Sequence, residues 1–213
     1  MCGLYQIGVL KELRKRELAG EFHVEAMSGA SIGSYLAFCY YNDSLDLAAE
    51  TLAEAKRTFK ESPGAPYAGA GFCDAITKQI TECDDAVFEL IKHGCIYSSR
   101  TDIGTITNKI DSNYETREDL ADAIICSMHV PYVTGNGWHC TSKDGRRYVD
   151  GVFPFIFRDR TDTDYRVLYV CNSAFAHPKG TVSGIRCDQT RIQEGHVDAE
   201  AFFETGATGV FCS

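Results

Sequence analysis

The sequence predicts an α/β domain. Helical apolar periodicity and short strand-like runs alternate along the chain. A turn signal separates one run from the next, and Arg166–Cys171 (RVLYVC) is apolar in the manner of a strand buried on both faces. Helices interleaved with strands make an α/β sandwich, where an all-α or all-β chain would keep one periodicity. At 213 residues the chain is most economically read as one domain, 1–213, with two as the alternative, and it is long enough to bury a sizeable core without metal or disulfide.

Residues 4–18 repeat Leu4, Ile7, Leu10 and Leu13 at helical spacing, with Lys11, Arg14 and Lys15 elsewhere on the wheel, and stop near Gly20. Phe22–Met27 is short and alternating, a strand; Ser28–Gly33 is a tight turn of small residues; Ser34–Tyr41 is a buried helix. Ser44 caps a helix running to about Lys60, and Pro63–Gly71 (PGAPYAGAG) is a loop. Asp74–Lys92 returns to helix. Cys95–Thr101 and Thr105–Ile110 form a strand pair about Asp102–Gly104. Thr116 followed by Asp119 resembles a capping box and starts a helix that must stop before Pro131. Trp138–Ser142 and Arg146–Val149 flank Lys143–Gly145 as a hairpin, and Asp198–Thr205 closes the chain as a helix.

Composition narrows the function. With 30 acidic and 21 basic residues the net charge is −9, which repels nucleic-acid backbones; nucleic acid is excluded as a partner. No apolar run approaches the ~18 residues of a membrane span, and the amino terminus lacks the pattern of a secretory signal. The ten cysteines are scattered singly, with no CxxC and no zinc-ligand spacing. They are expected to be free thiols in a reducing compartment, so the protein is expected to be intracellular and cytoplasmic, with no metal.

The chemistry concentrates in FHVEAMSGASIGSYLAF, where Gly29-Ala30-Ser31-Ile32-Gly33 is a G-x-S-x-G between strand and helix. A serine on that sharp turn needs small flanking residues, and the turn lifts Oγ clear of the sheet. The following helix aims its amino terminus at the reaction centre, where the Ile32 amide can hydrogen-bond an oxyanion. Taken alone, the motif is equally a glycine-rich strand-to-helix turn with a capping serine. A nucleophile needs a base. None of His23, His93, His129, His139, His177 and His196 ends a strand-like run directly before a glycine in a setting that marks it as catalytic, whereas Asp150 ends the Arg146–Asp150 run directly before Gly151. A strand-end carboxylate there can accept the serine proton; by itself Asp-Gly is also an ordinary turn.

Together GASIG and YVDG, in this order, resemble the Ser–Asp dyad of the patatin-like phospholipases. Gly3–Leu10 looks like the helix after that family's glycine-rich oxyanion loop, Leu120–Pro131 resembles its stretch ahead of the aspartate, and Gly195–Ala199 resembles its terminal helix. The likeness extends over residues 1–206 and lies nearest the adiponutrin and adipose triglyceride lipase branch. It implies a three-layer α/β/α sandwich with a central, mostly parallel sheet and the nucleophile on a strand–turn–helix elbow. Ser31 would be the nucleophile and Asp150 the base. Ile32, with part of the loop at Cys2 and Gly3, would hold the oxyanion; Gly29, Gly33 and Gly151 would complete the motifs. No cofactor is implied. The substrate would be a glycerolipid or phospholipid, met at a membrane or lipid-droplet surface through Pro63–Phe72 or Val152–Phe157, the second of which reads equally as a buried strand or core turn. The family's leading glycines and their strand are not in the sequence, so the domain is expected to be incomplete at its amino terminus. Two rivals remain: a non-catalytic lipid- or partner-binding relative, and an esterase with a Ser–His–Asp triad.

Overall fold

The computed structural model describes residues 3–61, 69–135, 137–151, 168, 170–171, 189–205 and 211–212. It is mixed α/β, a sheet flanked by helices, and divides into two compact units: Val24–Phe157, and Met1–His23 with Arg158–Ser213.

The Val24–Phe157 unit holds a five-stranded sheet of β1 (Met27–Ala30), β2 (Ile96–Asp102), β3 (Thr107–Asp111), β4 (Cys140–Thr141) and β5 (Arg147–Asp150). β1 pairs parallel with β2; β3 and β5 pair antiparallel with β2, and β4 antiparallel with β5. The β2–β3 and β4–β5 pairs follow from short connections, which permit a hairpin but no crossover. Its helices are α2 (Ile32–Tyr41), α3 (Leu45–Glu61), α4 (Ala70–Thr81), α5 (Asp85–Lys92) and α6 (Arg117–Ser127). α2 carries Tyr35, Leu36, Phe38, Cys39 and Tyr40, all buried, and rests against β1, β2, α3, α5 and α6. A helix apolar all round belongs inside. α3 buries Leu45, Ala48, Leu52 and Ala55, and its outer side holds Arg57 between Glu54 and Glu61. The capping box at Thr116 and Asp119 is present, and α6 ends four residues before Pro131.

Two elements differ from expectation. The strand lies at Met27–Ala30, sharing only Met27 with the expected strand and running over Ser28–Ala30 of the expected turn, because Phe22 stacks on Phe203 at 5.6 Å while Met27–Ala30 find Ile96–Ser99 as ladder partners. The helix expected over Asp74–Lys92 is two: α4 starts earlier and stops at Thr81, and an extended Asp84 leads into α5. The Cys83 carbonyl between them accepts from Arg117 Nε at 3.1 Å instead of continuing the helix.

The second unit pairs α1 (Gly3–Leu18) with α7 (Gln189–Thr205), and β6 (Val170–Cys171) parallel with β7 (Phe211–Cys212). Gly8 and Gly195 let the two helix backbones touch: a Cβ at Gly8 would lie 2.0 Å from the Ile192 carbonyl oxygen, and one at Gly195 2.1 Å from that of Tyr5. α7 is longer than its expected Asp198–Thr205, and Gly195 within it is the residue that makes this contact. Glu12, buried on α1, takes Arg16 at 2.7 Å and Lys15 at 3.0 Å; burial pushes its carboxyl up, but those partners hold it below its ordinary value. Of the expected strand Arg166–Cys171, residues 168 and 170–171 are described; Val152–Phe157 and most of Pro63–Gly71 lie outside the described residues.

Candidate active site

One edge of β2 brings the two ends of the site together. β3 covers Ser98–Asp102 from one side, so β1, paired to Ile96–Ser99, and β5, paired to Arg100–Asp102, must share the other. Ala30 lies opposite Ser99, and Asp150 opposite Arg100. Two strands meeting end to end along a third therefore place Ser31, just past Ala30, beside Asp150.

Ser31 caps α2 with φ 55° and ψ −130°, a left-handed conformation that costs a residue with a Cβ about 1–3 kcal/mol. Its Oγ donates to Asp150 Oδ2 at 2.5 Å, the length of a hydroxyl bonded to an ionised carboxylate. Asp150 is buried, its N–H donates to the His129 carbonyl at 2.9 Å, and its own carbonyl accepts from Thr101 Oγ1 at 3.1 Å. The backbone on both sides of the carboxylate is thus tied to β2 and to the end of α6.

Three buried serines that sequence reasoning missed hold the turn. The Ser31 N–H donates to Ser127 Oγ at 2.9 Å, and Ser127 Oγ donates to the Ser99 carbonyl at 2.5 Å. Ser34 Oγ donates to the Gly29 carbonyl at 2.9 Å and lies 3.1 Å from both Ser127 Oγ and Ser98 Oγ. The sequence around Ser34, Ser98 and Ser127 carries no local signal of this role. Glycine is required at two places: a Cβ at Gly29 would lie 2.3 Å from the Gly33 carbonyl carbon, and one at Gly151 1.9 Å from the Ser99 carbonyl oxygen. At Gly33 the steric expectation fails, because a Cβ there meets no atom within 4 Å.

Ile32 is the first residue of α2, so its N–H has no acceptor within the helix and is available to an oxyanion. Cys2 lies outside the described residues, and Gly3 opens α1 in the other unit. Among the described residues no histidine is hydrogen-bonded to Ser31 Oγ, and no group of His, Cys, Asp and Glu could hold a metal ion.

A family model for patatin-like phospholipases matches residues 1–157. The chain belongs to the patatin-like phospholipase family. No curated protein matches it. In this patatin-like chain the matched span includes both Ser31 and Asp150, and the family is one of lipid acyl hydrolases acting on lipid substrates.

Beside the pair lies a second polar cluster that the sequence did not reveal. Arg100, buried on β2, binds Asp111 at 2.7 Å, Asp122 at 3.1 Å and Ser142 Oγ at 2.9 Å, and its guanidinium sits 4.0 Å from the centre of the Tyr148 ring. Burial pulls its pKa down, and the Asp111 carboxylate more than restores it. One side chain thereby ties β2 to β3, α6 and β5. Next to it, Cys126 Sγ on α6 donates to Cys140 Sγ on β4 at 2.8 Å; that bond raises the Cys126 thiol and lowers the Cys140 thiol.

Proposed function

We propose that this protein hydrolyses acyl esters of glycerolipids through a Ser–Asp dyad, with residues 1–213 acting as one domain. The observation that carries the reading is the 2.5 Å hydrogen bond from Ser31 Oγ to Asp150 on a strained elbow. Asp150 takes the Ser31 proton as Oγ bonds to the ester carbonyl carbon. The carbonyl electron pair moves to oxygen, where the Ile32 N–H and the positive end of α2 stabilise it. The tetrahedral adduct collapses, the C–O bond to the alcohol breaks, and Asp150 returns the proton to the leaving oxygen. Water, deprotonated by the same carboxylate, then attacks the Ser31 acyl ester, releasing the fatty acid and restoring the hydroxyl.

We further place its action inside the cell, at a membrane or lipid-droplet surface. Supporting that, no helix among the described residues is long and apolar enough to cross a membrane, and Cys39, Cys73, Cys83, Cys95, Cys126 and Cys140 are free thiols.

The test uses a water-soluble short-chain ester and a fluorophosphonate label. Ser31→Ala should abolish both turnover and labelling. Asp150→Asn keeps the side-chain shape but cannot accept the proton, so kcat should fall by about 10²–10⁴. Undiminished hydrolysis by the alanine variant would refute the assignment, and a histidine variant as inactive as Asp150→Asn would favour a triad.

A further inference from the structure

We propose that Val130, Tyr132, Val133 and Trp138, in the loop that follows α6, form the surface on which this protein docks to a lipid layer. The inference rests on the reading of the chain as a lipid acyl hydrolase and names where that lipid is met. Four large apolar side chains are exposed within this short stretch: Val130 at 39%, Tyr132 at 56%, Val133 at 40% and Trp138 at 63%. From Ala123 to Ser142 the sequence holds no Asp, Glu, Lys or Arg, in a chain that is 24% charged. The amino-terminal part of that stretch is the buried side of α6, where charge would be costly. The loop has no such reason, and its surface is nonetheless free of formal charge.

The exposure is built in. Thr134 Oγ1 accepts from the Val130 N–H at 2.9 Å and donates to the Met128 carbonyl at 2.9 Å. The Val133 and Thr134 N–H groups donate to the Val130 carbonyl at 3.0 and 3.2 Å, and that of Tyr132 to the Gly137 carbonyl at 3.1 Å. Tyr132 is held at φ 60°, a conformation unfavourable for an aromatic residue. A collapsing loop would turn these side chains inward; this one is hydrogen-bonded in a form that keeps them out.

The loop also adjoins the reactive pair. It leaves α6 directly after Ser127, whose hydroxyl supports the elbow, and His129, whose carbonyl accepts the Asp150 N–H at 2.9 Å. Val130 is therefore one Cα step, about 3.8 Å, beyond a residue in contact with Asp150. Tryptophan and tyrosine, with apolar rings and a polar tip, favour the boundary between lipid headgroups and acyl chains. A charge-free patch gains from buried apolar area alone, so attachment should be insensitive to salt and to anionic lipid.

Trp138 is the only tryptophan in the sequence, so its fluorescence reports this loop and nothing else. The experiment adds full-length Ser31→Ala protein, which cannot turn lipid over, to vesicles of phosphatidylcholine with or without brominated acyl chains. Trp138 emission should shift to the blue and be quenched by bromine, equally at low and high salt. In the same background, Tyr132→Ser with Val133→Ser should lower the vesicle partition coefficient roughly tenfold or more, with circular dichroism unchanged. Flotation with vesicles while Trp138 keeps its aqueous emission would place the contact elsewhere and overturn the proposal; so would absence of flotation. A wild-type protein that docks through Trp138 yet cleaves neither lipid nor soluble ester would overturn the hydrolase reading and leave this one standing.

Discussion

Replacing Ser127 by alanine removes one oxygen with three neighbours. Its Oγ accepts from the Ser31 N–H at 2.9 Å, donates to the Ser99 carbonyl at 2.5 Å and lies 3.1 Å from Ser34 Oγ. Alanine offers neither donor nor acceptor, and in this buried position each backbone group deprived of a partner costs about 1–3 kcal/mol. Two such groups give about 2–6 kcal/mol of lost stability, which in a chain of this length lowers Tm by roughly 4–24 °C. The Ser31 N–H is one of the two. Its bond to Ser127 is among the contacts that keep Ser31 at φ 55°, so its loss lets the elbow relax. A displacement of about 1 Å in a reacting group costs on the order of 10²-fold in rate. Ser127→Ala, assayed well below its own Tm, should therefore show kcat reduced by about 10–10² with KM little changed, and slower fluorophosphonate labelling of Ser31. The kcat-against-KM split separates a positioning role from mere loss of fold. A variant that melts early but labels and turns over at the wild-type rate would refute the argument that Ser127 holds the nucleophile.

Gly151→Ala must move either β5 or β2, because the new methyl would sit 1.9 Å from the Ser99 carbonyl oxygen; the expected cost is about 1–3 kcal/mol, with loss of esterase activity from a displaced Asp150. Wild-type melting and turnover in that variant would contradict it. Burial lowers the pKa of His129, so the folded state binds fewer protons than the unfolded state below pH 6.5. Stability should be complete above that pH and be lost as pH falls through the lowered folded value; denaturant midpoints should show this dependence weakened in His129→Gln. The hydrogen bond from Cys126 lowers the Cys140 thiol, so iodoacetamide near neutral pH should modify Cys140 ahead of the buried Cys39, which burial raises to about 12. Cys126→Ala should slow the Cys140 reaction, and a faster one would oppose the assignment.

The α/β class was legible because it depends on periodicity, which every residue reports. The elbow was legible because Gly29 is required by local backbone geometry and stands with Ser31 in one G-x-S-x-G between strand and helix. The exact strand was not: Ser28, Gly29 and Ala30 have little strand preference of their own and become β1 through pairing with Ile96–Ser99, distant in sequence. The break between α4 and α5 was hidden for the same reason, since the carbonyl at Cys83 is claimed by Arg117 from another helix. Ser34, Ser98 and Ser127 carry no local signature either; each looks like an ordinary serine until the fold puts the three hydroxyls together. Asp150 was visible only in combination with Ser31, because a carboxylate before glycine is common and its partner lies 119 positions away.

The shared edge of β2 makes that strand a ruler. Ala30, directly before Ser31, and Asp150 pair with consecutive residues of β2, Ser99 and Arg100, and the chain between them has no part in setting their distance. Surface loops between the two residues can lengthen at small entropic expense without moving either one. A shift in β2 registry would disrupt both together. Diversification of what the site accepts is thus free to proceed in the connections, including the apolar loop after α6, while the reacting atoms stay in place.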